Sequence, residues 1–258
     1  MEYHFIQVEK QQHLTIITLN RPTSFNALNA AAHEELAQAF DQFQNDDDQW
    51  VAIVTGAGEK AFCAGHDLKQ QASGGGLVTP QAGFAGLTAR FNLTKPVIAA
   101  VNGVAMGGGF ELALACDLII ASEHAVFALP EPRVGLAALA GGIQRLPQVI
   151  GLKRSMGILL TGRRVLAQEG FELGFVNEVT REPVLEAAKR WANEILACSP
   201  LSIRATKQAV LKGLESSVEQ AMQDQWQYHA MQRMLNSDDV IEGPKAFAEK
   251  RTPQWKGR

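Results

Sequence analysis

The stretch Pro96-Val97-Ile98-Ala99-Ala100-Val101-Asn102-Gly103-Val104-Ala105-Met106-Gly107-Gly108-Gly109-Phe110-Glu111 decides the fold. Its first part, 97–101, is short and wholly apolar, the mark of a strand buried on both faces. The glycines then turn the chain into a helix expected over about 107–116, and another apolar strand is expected at 118–121. Strand, glycine turn, helix and strand in succession predict an α/β fold.

Upstream, the runs 5–8 and 14–19 are β-branched or aromatic and separated by a polar turn, so a hairpin is expected. A helix is expected over 30–43, where Leu36, Ala39, Phe40 and Phe43 recur at helical spacing, and a second buried strand at 51–55. Beyond about residue 183 the pattern changes to helices alone, at 183–197, 201–214, 218–235 and 238–250. The chain is therefore expected to divide into an α/β core, 1–195, and a C-terminal helical oligomerisation region, 196–258. Phe247 and Trp255 read as exposed apolar residues of that tail, suited to packing on a neighbouring subunit. No internal repeat of fixed period is present in the sequence.

Composition narrows the function. With 24 Lys and Arg against 27 Asp and Glu, the 258-residue chain carries a net charge of −3, which offers no footprint for nucleic acid. Hydrophobic residues at 46% predict a sizeable core. The N-terminus has no basic segment leading into a long apolar run, and Asn102, Glu111, Asp117 and the glycines interrupt the most apolar stretch. A cytoplasmic protein without membrane contact is expected. Cys63, Cys116 and Cys198 have no metal-ligand spacing and read as buried free thiols; no metal is expected.

Each glycine in the cluster 107–109 costs a helix about 0.8–1.0 kcal/mol relative to Ala, so three together need a reason. One is close backbone approach at a helix start, where unpaired N–H groups and the positive end of the helix dipole suit an anion or a developing oxyanion. Tight helix packing is the other. The spacing is not G-x-G-x-x-G, and neither a P-loop nor a G-x-S-x-G elbow occurs, which sets aside nucleotide phosphates and serine hydrolysis.

A second segment, Lys60-Ala61-Phe62-Cys63-Ala64-Gly65-His66-Asp67-Leu68-Lys69, follows the strand at 51–55 and is expected to turn into a helix in the same way. Two such turns can aim one backbone N–H each at a single oxygen. Within it, Ala64 and Gly65 point to backbone geometry rather than to chemistry by His66 or Cys63. Two carboxylates stand in apolar surroundings: Glu111, between Phe110 and Leu112, and Glu131, in Leu129-Pro130-Glu131-Pro132. Burial raises a carboxyl pKa toward neutrality, as acid/base work requires. Either alone also reads as a satisfied core acid or a surface residue; the pair, separated by one expected strand, is more telling.

These segments, with Arg21-Pro22, Asn26-Ala27-Leu28, Gly141-Gly142-Ile143-Gln144-Arg145-Leu146 and Ala246-Phe247-Ala248-Glu249-Lys250-Arg251, make the chain similar over essentially its whole length to the crotonase superfamily of enoyl-CoA hydratases and isomerases. The resemblance implies an α/β crotonase-like spiral of ββα units with a C-terminal helical trimerisation region. It implies an acyl-CoA substrate, a homotrimer or dimer of trimers, and no cofactor beyond the coenzyme A of the substrate. It places the two oxyanion-hole N–H groups on His66 and Gly108, and the two acids of a hydratase on Glu111 and Glu131. Contacts to CoA are implied at Ala27, Ala64, Asp67, Leu68 and Lys69, with Phe247 and Lys250 reaching a neighbour's CoA. Family members that isomerise usually keep only the second acid, so hydration is expected, with an enoyl-CoA isomerase or other acyl-CoA lyase as the alternative. A non-catalytic CoA- or RNA-binding scaffold is the alternative of another class.

Three departures bear on the substrate. The family usually has a small residue where His66 stands, so its imidazole is expected to line the acyl pocket or the CoA channel. Ala138-Leu139-Ala140 replaces a loop commonly carrying proline and glycine. Acyl-chain specificity usually lies in 70–87.

Overall fold

The computed structural model describes residues 3–67 and 79–258. Its strands are β1 (Ile6–Gln11), β2 (Leu14–Leu19), β3 (Val51–Gly56), β4 (Ala61–Cys63), β5 (Val97–Val101), β6 (Val104–Met106), β7 (Leu118–Ser122), β8 (Val126–Ala128), β9 (Val165–Leu166) and β10 (Glu178–Thr180). Among the described residues they form a six-stranded sheet in the order β1-β2-β3-β5-β7-β10 and a four-stranded sheet in the order β4-β6-β8-β9. The hairpin β1-β2 is antiparallel, and from β2 through β10 the larger sheet is parallel.

The apolar runs are central strands with both faces covered. In β5, Val97, Ala99 and Val101 enter one core while Ile98 and Ala100 enter the other; in β3, Ala52 and Val54 part from Val51 and Ile53 in the same way. Period-two alternation between two apolar cores is why these strands read as unbroken hydrophobic runs. The pairs β3-β4, β5-β6 and β7-β8 each send their first strand to the larger sheet and their second to the smaller. Helix α2 (Gly108–Ala115) completes the ββα unit after β6. The spiral repeats in geometry, although nothing repeats in sequence.

The other helices are α1 (Ala30–Asn45), α3 (Gly142–Ile150), α4 (Leu152–Thr161), α5 (Ala167–Leu173), α6 (Val184–Leu196), α7 (Pro200–Gly213), α8 (Val218–Asp224), α9 (His229–Leu235) and α10 (Asp239–Ala248). α1 starts on an Asn29 cap, whose side chain accepts the Ala32 N–H, and α7 on a Ser199 cap. Val184, Ala187, Ala188 and Ala192 of α6 press on β3, β5 and β7 and close the second core.

Four expectations need correction. The helix expected over 218–235 is broken by a short turn at Gln225–Gln227, after which Gln208 of α7 accepts the Ala230 N–H at 3.0 Å; this tertiary contact starts a new helix. Two strands, β7 and β8, lie between Glu111 and Glu131 rather than one. Trp255 is half-buried against its own chain, with its indole N–H donated to Ala197 O at 2.8 Å. Cys63 and Cys116 are buried, but Cys198 is exposed. The helix expected after the 60–69 segment falls outside the described residues.

Candidate functional site

The site forms where two loops from adjacent ββ units meet. Loop 64–67 hangs on 25–28: Leu28 N–H donates to Gly65 O at 2.8 Å, and Asp67 N–H donates to Leu28 O at 2.9 Å. In such a parallel bridge, centred on Leu28 and His66, the middle residue's own N–H points to the opposite side. Asn26, buried in a left-handed conformation, holds the supporting loop by donating its amide to Ala57 O and Ala61 O and accepting the Arg21 N–H. Arg21 in turn pairs with Asp67 at 3.1 Å and donates to Ala27 O.

The second loop brings Gly108 against the first. A Cβ added at Gly65 would lie 3.2 Å from Gly108 N, so no other side chain fits between the two loops. Gly109 lies against the Cys63 carbonyl, and a Cβ there would collide with it. Close approach is thus the reason for the glycines, as the oxyanion reading requires. Gly107 takes φ +54, ψ −127, a conformation that suits glycine, and its N–H donates to Ala128 O at 2.9 Å. It turns the chain so that Gly108 N–H begins α2, with the positive end of the helix dipole behind it. The His66 N–H, on the free side of its bridge, and the Gly108 N–H, at the start of α2, thus belong to two loops in close contact.

Both carboxylates reach the same place. Glu111, in the first turn of α2, is 3% exposed, and its Oε1 accepts the Gly142 N–H at 2.9 Å. Burial, with a smaller push from the nearby Glu131 carboxylate, raises its pKa to about 7 against the pull of the Gly142 and Ala140 N–H groups and of Arg145. Glu131 begins a short turn, Glu131–Val134, and is half-buried. Its Oε1 lies 2.8 Å from where a Gly107 Cβ would be, and its Oε2 is buried without a hydrogen-bond partner among the described residues. Burial raises its pKa as well. Two acids that both resist ionisation can hold one proton between them, so one accepts while the other donates.

Of the residues singled out in the sequence, the structure brings together His66, Gly108, Glu111 and Glu131, with Ala27, Ala64 and Asp67 in the loops that support them. Leu68 and Lys69 lie outside the described residues, as does 70–78 of the loop where acyl-chain specificity is expected. Phe247, 87% exposed, and Lys250 belong to α10 and the turn after it, which pack on α9. Among the described residues no cluster of three or more His, Cys, Asp or Glu is placed to hold a metal ion. Sequence reasoning missed Arg21 and Asn26 as supports, although both stand in the motifs Arg21-Pro22 and Asn26-Ala27-Leu28. It also missed His33 of α1, buried beside His66.

Residues 9–258 match the model of the enoyl-CoA hydratase/isomerase family. The chain belongs to that family. Among relatives of this hydratase/isomerase chain are the carnitinyl-CoA dehydratases of Proteus mirabilis (strain HI4320), 44% identical over 256 residues, and Escherichia coli (strain K12), 45% identical over 254; each alignment covers 94% of both proteins. The crystal structure of enoyl-CoA hydratase from Mycobacterium tuberculosis H37Rv superposes with a TM-score of 0.92 at 41% identity, covering 98% of this chain and 99% of that one. The enoyl-CoA hydratase of Bacillus anthracis gives a TM-score of 0.90 at 39% identity, covering 99% and 100%. The crotonase fold and superfamily that the motifs imply are those of this protein.

Proposed function

We propose that the protein is an enoyl-CoA hydratase, adding water across the 2,3 double bond of an enoyl-CoA thioester. The observation that carries this reading is the pair Glu111 and Glu131, close enough to act on each other electrostatically and both held up in pKa by burial, beside the two touching loops that carry the His66 and Gly108 N–H groups. The thioester oxygen sits between those two donors. Water attacks C3, charge moves to that oxygen as an enolate forms, and the paired N–H groups with the α2 dipole stabilise it. Removing one such donor in other enzymes costs about 2.7–4 kcal/mol. Glu111 holds the water and takes its proton, and Glu131 delivers a proton to C2, so the product is the 3-hydroxyacyl thioester. The pair starts with one proton and ends with one, moved from Glu131 to Glu111. Coenzyme A enters as part of the substrate, over Ala27, Ala64, Asp67, Leu68 and Lys69.

The relatives' name favours a second reading of direction: a carnitinyl-CoA dehydratase removes water, and the same acid pair run backwards serves that. We assign the tail 196–258 to self-assembly as a trimer or dimer of trimers, with Phe247 and Lys250 completing a neighbour's CoA site. Val210, Leu214, Val218, Met222, Trp226 and Phe247 expose more apolar area there than a lone tail needs. Among the described residues no helix is long and apolar enough to cross a membrane.

Adding purified protein to a trans-2-enoyl-CoA should abolish the conjugated-thioester absorbance and yield a product one water heavier. A rearranged product of unchanged mass from a 3-enoyl-CoA would make it an isomerase, and tight CoA binding without turnover a binding scaffold.

A further inference from the structure

On the inward face of α1, between Ala32 and the run Leu36, Ala37, Phe40, sits one polar side chain. His33 is fully buried, and among the described residues only one of its ring nitrogens has a hydrogen-bond partner. Nδ1 accepts the N–H of Ala85 at 3.0 Å, from a residue held at φ +53 in a left-handed turn. Because Nδ1 accepts, the proton is on Nε2, and that donor is buried with no partner among the described residues.

The His66 ring lies 5.9 Å from the His33 ring, at an interplanar angle of 18°. Both its nitrogens are buried, and neither has a partner among the described residues. Phe84 meets His33 edge-on at 4.6 Å, and the same phenyl ring covers the Cα of Gly108. Three unpartnered imidazole nitrogens thus lie buried in one neighbourhood, on the residue that carries one of the two N–H groups given to the thioester oxygen and on a ring packed against the phenyl that covers the other. Buried polar atoms of this kind are costly unless something polar meets them. Their inventory is specific: His33 offers one donor, and a neutral His66 offers one donor and one acceptor. A hydroxyl, which donates once and accepts twice, matches that set. An anion does not, since burial lowers the pKa of both rings, His33 to about 4, and keeps them uncharged at neutral pH.

We propose that His33 and His66 form a polar subsite for a hydroxyl on the acyl chain, at C4 or C5, so that the preferred substrates are hydroxylated acyl-CoA thioesters rather than plain alkyl ones. The C3 position is left to Glu111 and Glu131. The proposal rests on the acyl-CoA reading above, and its test needs no turnover. Titration calorimetry on the full chain would compare butyryl-CoA with 4-hydroxybutyryl-CoA, and pentanoyl-CoA with 5-hydroxypentanoyl-CoA. One hydroxylated ester should bind at least about tenfold more tightly than its alkyl counterpart, consistent with the rejection of partnerless ligands by buried polar groups. His33→Phe and His66→Phe should each remove that preference, and His33→Gln, which keeps an N–H near the position of Nε2, should restore part of it. Should His33→Phe fail to fold, His66→Phe, at a half-buried position, carries the comparison. Equal binding of the paired esters, or a preference that survives both Phe substitutions, overturns the subsite. Failure of every acyl-CoA to bind overturns the acyl-CoA reading itself and the subsite with it.

Discussion

Glu111 and Glu242 are the same residue type under opposite physics. Glu111 sits inside the protein with N–H donors but no ion pair among the described residues, and burial lifts its pKa to about 7. Glu242 of α10 lies at the surface in a two-point ion pair with Arg251, at 2.6 and 2.9 Å, and hydrogen bonding to that guanidinium pulls its pKa down to about 2. The tail residue keeps its charge at any physiological pH and serves structure. The site residue gives up stability to exchange a proton near neutrality, which is what acid/base chemistry requires. The two regions should therefore respond to mutation and pH in opposite ways.

The largest effect belongs to the backbone of the site. Gly109→Ala drives a methyl into the Cys63 carbonyl, and overpacking against unyielding backbone costs about 3 kcal/mol or more. Urea denaturation should show that loss, and a midpoint equal to wild type would mean that the two loops can part to admit a methyl. Gly107→Ala comes next. Its φ of +54 with ψ −127 costs a residue with a Cβ about 1–3 kcal/mol, and the methyl would stand 2.8 Å from Glu131 Oε1. Activity should fall more than stability does, so the ratio of kcat/KM loss to denaturation loss is the quantity to read.

Stability against pH separates the two glutamates. Folded Glu111 titrates at about 7 and the unfolded group at 4.5, so between those values the folded chain holds the extra proton. Stability from this group then falls as pH rises from about 4.5 to 7 and is level above, by up to about 3 kcal/mol. Glu111→Gln should remove that decline and gain on wild type toward pH 8; parallel pH curves would contradict it. Glu242 carries the opposite sign: its contribution is present above the unfolded value of 4.5 and is lost as pH falls toward 2. Because that pair is exposed, Arg251→Ala should give the smallest change of the series, shrinking further in high salt. A loss comparable to Gly107→Ala would mean the tail pair is buried in an assembly.

A like contrast governs what the amino-acid sequence makes legible. Strands 14–19 and 97–101 can be read because each is long enough to show an apolar run, and their observed bounds match. β4, β6 and β8 span three residues each, too short to show a period, so the second sheet and the two-sheet spiral leave no mark in the residue pattern. The break at Gln225–Gln227 has no Gly or Pro to mark it and depends on Gln208, distant in sequence. At the site, Glu111 and Glu131 stand out as charges among apolar neighbours. His33 gives a comparable signal, lying three and seven residues before Leu36 and Phe40 on one helix face, but a lone His in such a stripe reads as core.

The hydratase assignment stands or falls on the rate of hydration of one trans-2-enoyl-CoA by wild type, Glu111→Gln and Glu131→Gln, measured side by side with product mass. A 3-hydroxyacyl product is expected from wild type, with a loss of about 10²–10⁴-fold in kcat for each variant, since acid/base groups that work as a pair fail singly. Either variant turning over at the wild-type rate would refute the two-glutamate mechanism.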